Sequence, residues 1–330
     1  MQNVTENIDV GKLLDNWDET HELTKDEALA ILNCDDVCLD KLIETAYALR
    51  LKYKGKKVSI QLLTNVRSGN CSQNCAYCAQ SCESQAQIEK YKRVSDEKLY
   101  GDNDLVDNKH LARHCIGLSG ISFTDAEIED LAGRIRKMKK NDTQICCSIG
   151  FLTEKQALML KEAGLNRINH NLNSSRRFYP NICTTHTFDD KINCIKVAKK
   201  AGLEVCSGGI IGMGESFNDR IDMALELAEL DVNSITINAL LPVKGTALEN
   251  YESLTEDEII RTIGIFRFIN PEKEIRLAAG RALIKEGGKR GFLSGADATI
   301  TGDMLTTTGT SIKSDFELRE KVKTELDNLN

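Results

Sequence analysis

Three cysteines within the stretch Cys71-Ser72-Gln73-Asn74-Cys75-Ala76-Tyr77-Cys78 are the part of this sequence best suited to chemistry. With three and two residues between them, their thiols can turn inward together on one loop. A cubic 4Fe–4S cluster has four iron corners and normally takes a cysteine at each. Cys71, Cys75 and Cys78 would therefore leave one iron open to bind something else, and reaction can start at such a corner. A zinc knuckle is the bland alternative, but structural zinc sites are closed by four ligands and usually built from C-x2-C pairs.

A second set of reactive side chains lies in short apolar runs further along. Cys115, Cys146 and Cys206 fall in three separate predicted strands, within Arg113-His114-Cys115-Ile116-Gly117, Ile145-Cys146-Cys147-Ser148-Ile149 and Val205-Cys206-Ser207-Gly208-Gly209. One buried cysteine is ordinary core. Inward-pointing residues of separate strands converge in a barrel lumen, however, and three thiols meeting there suit a second metal centre. Arg276 places a cation on another predicted strand; a buried charge needs a partner, and an electron-rich iron–sulfur cluster can be one. Cys147 and Cys82 are spare thiols beside these sets and are candidates for additional ligands.

Polar amides are concentrated in Asn169-His170-Asn171-Leu172-Asn173. Alternation puts Asn169, Asn171 and Asn173 on one face and His170 on the other, so His170 reads as structural. Amides aimed into a lumen read as ligand recognition, with Asn238 a possible fourth; a network that only braces the barrel is the competing reading. The stretch Gly208-Gly209-Ile210-Ile211-Gly212-Met213-Gly214-Glu215 matches neither phosphate-binding glycine motif. It reads as a strand whose missing side chains let an adenosine or its sugar approach the backbone. Cys34 and Cys38 have i, i+4 spacing on a predicted helix but lack partner ligands, and read as ordinary thiols.

The elements that must position these residues alternate. Predicted strands cover 58–63, 114–118, 144–149, 167–172, 204–211, 234–240, 274–278 and 298–301, with helical patterns at 154–163, 189–201, 217–230, 255–268 and 282–292 among those between them. Eight strands with intervening helices favour a (β/α)8 TIM-type barrel, whose active site sits at the C-terminal ends of the strands. The cysteine loop follows the first strand directly. Residues 10–54 read as helices, with Thr24-Lys25-Asp26-Glu27 as a capping box. The expected organisation is an N-terminal helical cap over 1–54, a barrel over 55–315 and a helical tail over 316–330.

The chain has 330 residues, 41% apolar and 28% charged, ordinary values for a globular protein. No apolar run approaches the roughly 20 residues of a membrane span. The net charge of −7 argues against a nucleic-acid partner. The start, Met1 to Asp9, shows neither a basic leader nor an apolar stretch, so a cytoplasmic location is expected. Twelve cysteines then read as reduced thiols, with metal binding the first suspicion.

The C-x3-C-x2-C loop, with Tyr77 before its last cysteine and a strand before the loop, resembles the signature of the radical S-adenosylmethionine (SAM) enzymes. Over residues 50–315 the chain resembles one family among them, the biotin synthases, most specifically at 71–81, 169–187, 205–215, 242–246, 275–281 and 302–308. The resemblance implies a 4Fe–4S cluster on Cys71, Cys75 and Cys78 whose open iron takes SAM. It also implies an auxiliary cluster, 2Fe–2S or larger, on Cys115, Cys146, Cys206 and Arg276. It assigns SAM contacts to Tyr77, Asn171, Asn173, Lys191 and Ile210, and contacts with dethiobiotin to Asn169, Asn171 and Asn238. The implied reaction inserts sulfur from the auxiliary cluster into dethiobiotin after hydrogen abstraction at C9 and C6. A flavodoxin- or ferredoxin-like electron donor and a homodimer are implied as well. The chain departs from the family's familiar form at Asn173, where an aspartate is usual, and at Lys191 and His186, where arginines are.

Overall fold

Short β-branched runs and capped helices alternate along most of the chain, and the strands close on themselves. The computed structural model describes residues 8–18, 20–139, 142–302, 305 and 309–328. Residues 1–7 of the start, and 303, 304 and 306–308 of the last resembling stretch, lie outside the described residues. Eight parallel strands form a closed barrel in sequence order: β1 (Ser59–Arg67), β2 (Arg113–Leu118), β3 (Ile145–Ser148), β4 (Arg167–Asn169), β5 (Glu204–Ile211), β6 (Ser234–Ala239), β7 (Glu274–Leu277) and β8 (Ala298–Thr301). The expected (β/α)8 architecture is the one observed.

Among the described residues, three helices precede the barrel: α1 (Val10–Asp15), α2 (Lys25–Leu32) and α3 (Asp36–Lys54). The Thr24/Glu27 capping box forms, with the Glu27 amide donating to Thr24 Oγ1 at 3.2 Å and the Thr24 amide to Glu27 Oε2 at 2.9 Å. Around the barrel run α4 (Asp96–Asn108), α5 (Asp125–Met138), α6 (Glu154–Glu162), α7 (Phe188–Lys200), α8 (Phe217–Glu229), α9 (Glu256–Ile269) and α10 (Lys285–Leu293), followed by α11 (Ile312–Asn328). From α4 to α9 every helix begins behind a Ser or Thr whose hydroxyl accepts from the third helical amide. Each such cap contributes about 1 kcal/mol.

Alternation along the strands divides two environments. Outward residues such as Ile116, Ile145, Cys147, Ile168, Val205, Ile235 and Ile275 join one apolar core between sheet and helices, which also takes in Leu42 of α3 and Leu318 of α11. Cys115, Cys146 and Cys206 are equally buried yet belong to the inner face, outside that core. Register aligns them: Cys115 pairs with Cys146 across β2 and β3, Asn169 with Cys206 across β4 and β5, and Thr236 with Arg276 across β6 and β7.

Four local expectations are corrected. Cys34 is not helical but lies between α2 and α3, so it and Cys38 do not share a helix. The predicted 282–292 helix is broken, because Glu286, Gly287 and Gly288 all take positive φ between a short 3-10 turn at Arg281–Leu283 and the rest of α10. The predicted strand at 167–172 ends at Asn169, and Asn173 returns to the sheet only as an isolated bridge to Gly209. Finally, the space left by Gly208 and Gly209 is filled by protein. A Cβ on Gly208 would stand 2.0 Å from the Thr236 carbonyl oxygen, and one on Gly209 would stand 2.2 Å from Met223 Sδ. On the sides their side chains would occupy, these two glycines let β6 and α8 approach β5.

Candidate functional site

The cysteine loop leaves the C-terminal end of β1 and is pinned from several sides. The Gly69 amide donates to Gln80 Oε1 at 2.7 Å, the Ala76 amide to the Ile182 carbonyl at 2.9 Å, and the Gln85 amide to the Gly245 carbonyl at 2.7 Å. Asn74 adds side-chain bonds to Thr184 and Thr185. Such bonding anchors the loop that carries half-buried Cys71, Cys75 and Cys78, of which Cys78 lines the chamber below and Cys75 turns toward Cys183.

A cavity of about 260 Å³ opens beneath this loop. Tyr77, Cys78 and Gln80 wall its top, Cys115 and Arg276 its floor, and Asn169, Asn171, Asn173, Ile210 and Asn238 its sides. Residues assigned from sequence to two clusters and two small molecules therefore share one chamber. The side-chain amides of Asn171 and Asn173 have no partner among the described residues, whereas the Asn173 backbone amide donates to the Gly208 carbonyl at 2.9 Å. Asn173 sits at φ 72°, in the left-handed region that asparagine tolerates better than most residues. Asn238 is engaged differently. Its amide donates to the Gly209 carbonyl at 3.0 Å and its oxygen accepts from the Ala279 amide at 3.1 Å, so it also braces the strand ends. Lys191 does not line the chamber; half-buried on α7, it stands among Cys75, Cys194, Cys183 and Cys71, and burial pushes its ammonium down.

The floor is a thiol set ringed by cations. Asn169 Nδ2 lies 2.9 Å from Cys115 Sγ and 3.8 Å from Cys146 Sγ, and Arg276 Nη1 lies 3.1 Å from Cys206 Sγ. Burial alone would raise the Cys146 thiol, but the Cys115 hydrogen bond and the Arg276, Arg167 and Arg113 guanidiniums outweigh it and draw the thiol down. Cys115, which makes the bond to Cys146, goes up. Among the described residues, four buried polar atoms on or beside this floor lack partners: Gln61 Nε2, Asn169 Oδ1, Arg276 Nε and Arg113 Nη1. The orphaned donors Gln61 Nε2 and Arg276 Nε, beside sulfur ligands and three guanidiniums that only two carboxylates offset, fit an anionic iron–sulfur group, whereas Asn169 Oδ1 is an acceptor and does not add to that fit. Gln61, with Oε1 3.9 Å from Cys146 Sγ, was not foreseen; its inward position on β1 was the available signal. Cys147 points into the outer core and Cys82 is exposed, so neither reaches this floor.

A barrel carrying an open three-cysteine loop over its C-terminal mouth defines the radical SAM class, and the comparisons agree. The Radical SAM superfamily matches residues 65–228, and the Biotin and Thiamin Synthesis associated domain matches residues 236–324. Biotin synthase of Alkaliphilus metalliredigens is 44% identical over 94% of this chain and 98% of its own length, and that of Brachyspira hyodysenteriae 42% identical over 97% and 95%. The chain belongs to the biotin synthase family. Among solved folds, a methylornithine synthase superposes with TM-score 0.82 at 17% identity, covering 97% of this chain and all of its own. A hydrogenase maturase from Carboxydothermus hydrogenoformans superposes with TM-score 0.80 at 16% identity, covering 94% and 77%. Family membership makes the chain a radical SAM sulfur-inserting enzyme and implies a 4Fe–4S cluster, SAM and dethiobiotin. Among the described residues, no helix is long and apolar enough to cross a membrane.

Proposed function

We propose that the chain converts dethiobiotin to biotin, with hydrogen abstraction at C9 and C6 and sulfur drawn from an auxiliary cluster on Cys115, Cys146, Cys206 and Arg276. When bound, the two clusters supply the electron that splits SAM to a 5′-deoxyadenosyl radical and the sulfide that ends in the product. The chain's own task is placement. Cys71, Cys75 and Cys78 hold the first cluster at the top of the chamber, where Tyr77 and Ile210 line the walls available to SAM. The free amides of Asn171 and Asn173 suit SAM or the ureido and carboxylate groups of the substrate, and Asn238 retains one amide hydrogen for the same purpose. Asn169 donates toward Cys115 and fixes the floor. Holding radical, carbon and sulfide in line contributes several kcal/mol, and a closed lumen keeps water and stray hydrogen donors away. Lys191 supplies positive charge behind the loop. A flavodoxin- or ferredoxin-like donor and a homodimer complete the proposal.

What supports this reading most is one observation: Cys115 of the lumen and Cys78 of the loop wall the same cavity. Anaerobic reconstitution with iron and sulfide, then incubation with SAM, reductant and dethiobiotin, tests it by mass spectrometry. Biotin and 5′-deoxyadenosine are both expected from the native chain. Cys115→Ala is expected to abolish biotin while SAM still binds; an unchanged yield of biotin would reject the role of the lumen thiols.

A further inference from the structure

Outside the chamber, Cys75 faces a thiol that no spacing rule singles out. Its Sγ lies 3.8 Å from Sγ of Cys183, which is buried at 4% exposure. Cys183 Sγ in turn lies 3.2 Å from His186 Nδ1 and 3.8 Å from His186 Nε2. Among the described residues, these three form the one group of His, Cys, Asp or Glu side chains whose ligating atoms all lie within 4.8 Å of one another. Zinc–sulfur bonds at a tetrahedral angle put two sulfurs about 3.8 Å apart, and a sulfur and an imidazole nitrogen about 3.5 Å apart. The two sulfurs already stand at that separation, His186 Nε2 is 3.8 Å from Cys183 Sγ and a few tenths of an ångström wide of it, and all three ligating atoms lie within 4.8 Å, so a small shift of the imidazole seats a single ion.

The surroundings support the same reading. His186 Nδ1 lies 2.9 Å from Gln73 Oε1, and an imidazole that donates Nδ1–H to a carbonyl oxygen keeps Nε2 bare for a metal. Asn74 Oδ1, 3.5 Å from Cys183 Sγ, accepts from the Thr184 and Thr185 amides and fixes the segment that carries Cys183. Directly after His186, the Thr187/Asp190 capping box starts α7.

We propose that in the cluster-free chain Cys75, Cys183 and His186 hold a single borderline divalent cation, zinc or ferrous iron, with water as the fourth ligand and with the thiol protons released to solvent on binding. Because Cys75 is shared, this ion and the four-iron cluster exclude one another. That consequence rests on the cluster assignment above, whereas the site itself rests only on the triad's geometry.

The test uses the full chain, purified without cluster and carrying Cys71→Ala, Cys78→Ala and Cys115→Ala so that neither the other loop thiols nor the lumen set gathers an ion. Cobalt(II) titrated anaerobically into this chain is expected to bind at one equivalent, with a thiolate charge-transfer band and tetrahedral d–d bands, and to be displaced by zinc. Adding Gln73→Ala is expected to weaken binding about tenfold, and Cys183→Ala or His186→Ala about a hundredfold or more. Absence of cobalt binding, or binding unmoved by Cys183→Ala and His186→Ala, overturns the site. Should the triple variant fail to fold by circular dichroism, a second measurement applies to the otherwise native chain. One equivalent of zinc is expected to slow the growth of iron–sulfur absorbance during reconstitution, and His186→Ala to relieve the delay. Zinc that slows both chains equally, or neither, overturns the proposal.

Discussion

Arg276 shows what the lumen demands of a single side chain. Its guanidinium is 2% exposed, one nitrogen faces Cys206, and another bonds Glu274. Glu274 Oε1 also accepts from Ser234 Oγ at 2.8 Å and Arg167 Nη1 at 3.0 Å. Burial by itself raises the Glu274 carboxyl, yet the Arg276 and Arg167 guanidiniums outweigh it and hold it at about 2. Breaking a buried pair by removing one charge leaves the other uncompensated. Glu274→Gln is therefore expected to cost about 3 kcal/mol in chemical denaturation of the cluster-free chain; a loss below about 1 kcal/mol would mean that Arg276 is balanced elsewhere. The need for a partner was legible from Arg276 alone, although only a cluster was foreseen for that part. The carboxylate was not, because which acidic residue lies beneath the thiols depends on strand register. Cys183 was hidden for a similar reason, since only the folded loop carries it across 108 positions to Cys75.

Among the elements, β2 shows how one strand serves two environments. Cys115 faces the lumen, while His114 faces α4, bonding Asn103 Oδ1 through Nδ1 at 3.0 Å and Thr64 Oγ1 through Nε2 at 2.8 Å. Burial pushes the His114 imidazole down to about 4, although nearby Asp102 opposes the change, and His170 is lowered by burial as well. With the folded value below the unfolded one, the unfolded chain takes up the proton first. The contribution of His114 is fully present above pH 6.5 and is lost as pH falls from 6.5 toward 4. Between pH 6.5 and 5 the loss from His114 alone is expected to be about 2 kcal/mol. Denaturation curves across that range check this; stability that stays flat to pH 5 would contradict it. The strands themselves were legible because apolar, β-branched runs between turn residues leave few alternatives, and β5 and β8 have the bounds read from sequence. The break in α10 was missed although it had a signal: no apolar side chain lies between Ile284 and Phe292, and the Gly287-Gly288 pair marks where the backbone turns left-handed. The β5 glycines misled because a missing side chain has the same signature whether a ligand or a neighbouring strand fills the space.

For the molecule as a whole, a single apolar core joins α1 to α3, the barrel helices and α11, so the chamber is supported from every side by one cooperative packing unit. Rigid support of this kind is what radical placement requires. The chamber's two ends come from residues far apart in sequence, brought together by barrel closure, and closure was readable from eight alternating strands. The central claim is that the lumen thiols hold the sulfur that reaches the product. The most direct measurement rebuilds the clusters with isotopically heavy sulfide, removes free sulfide, and follows one turnover with SAM, reductant and dethiobiotin by mass spectrometry. Biotin carrying the heavy isotope is expected, lost together with biotin itself in Cys115→Ala. Biotin of natural sulfur mass from the labelled native chain would contradict it.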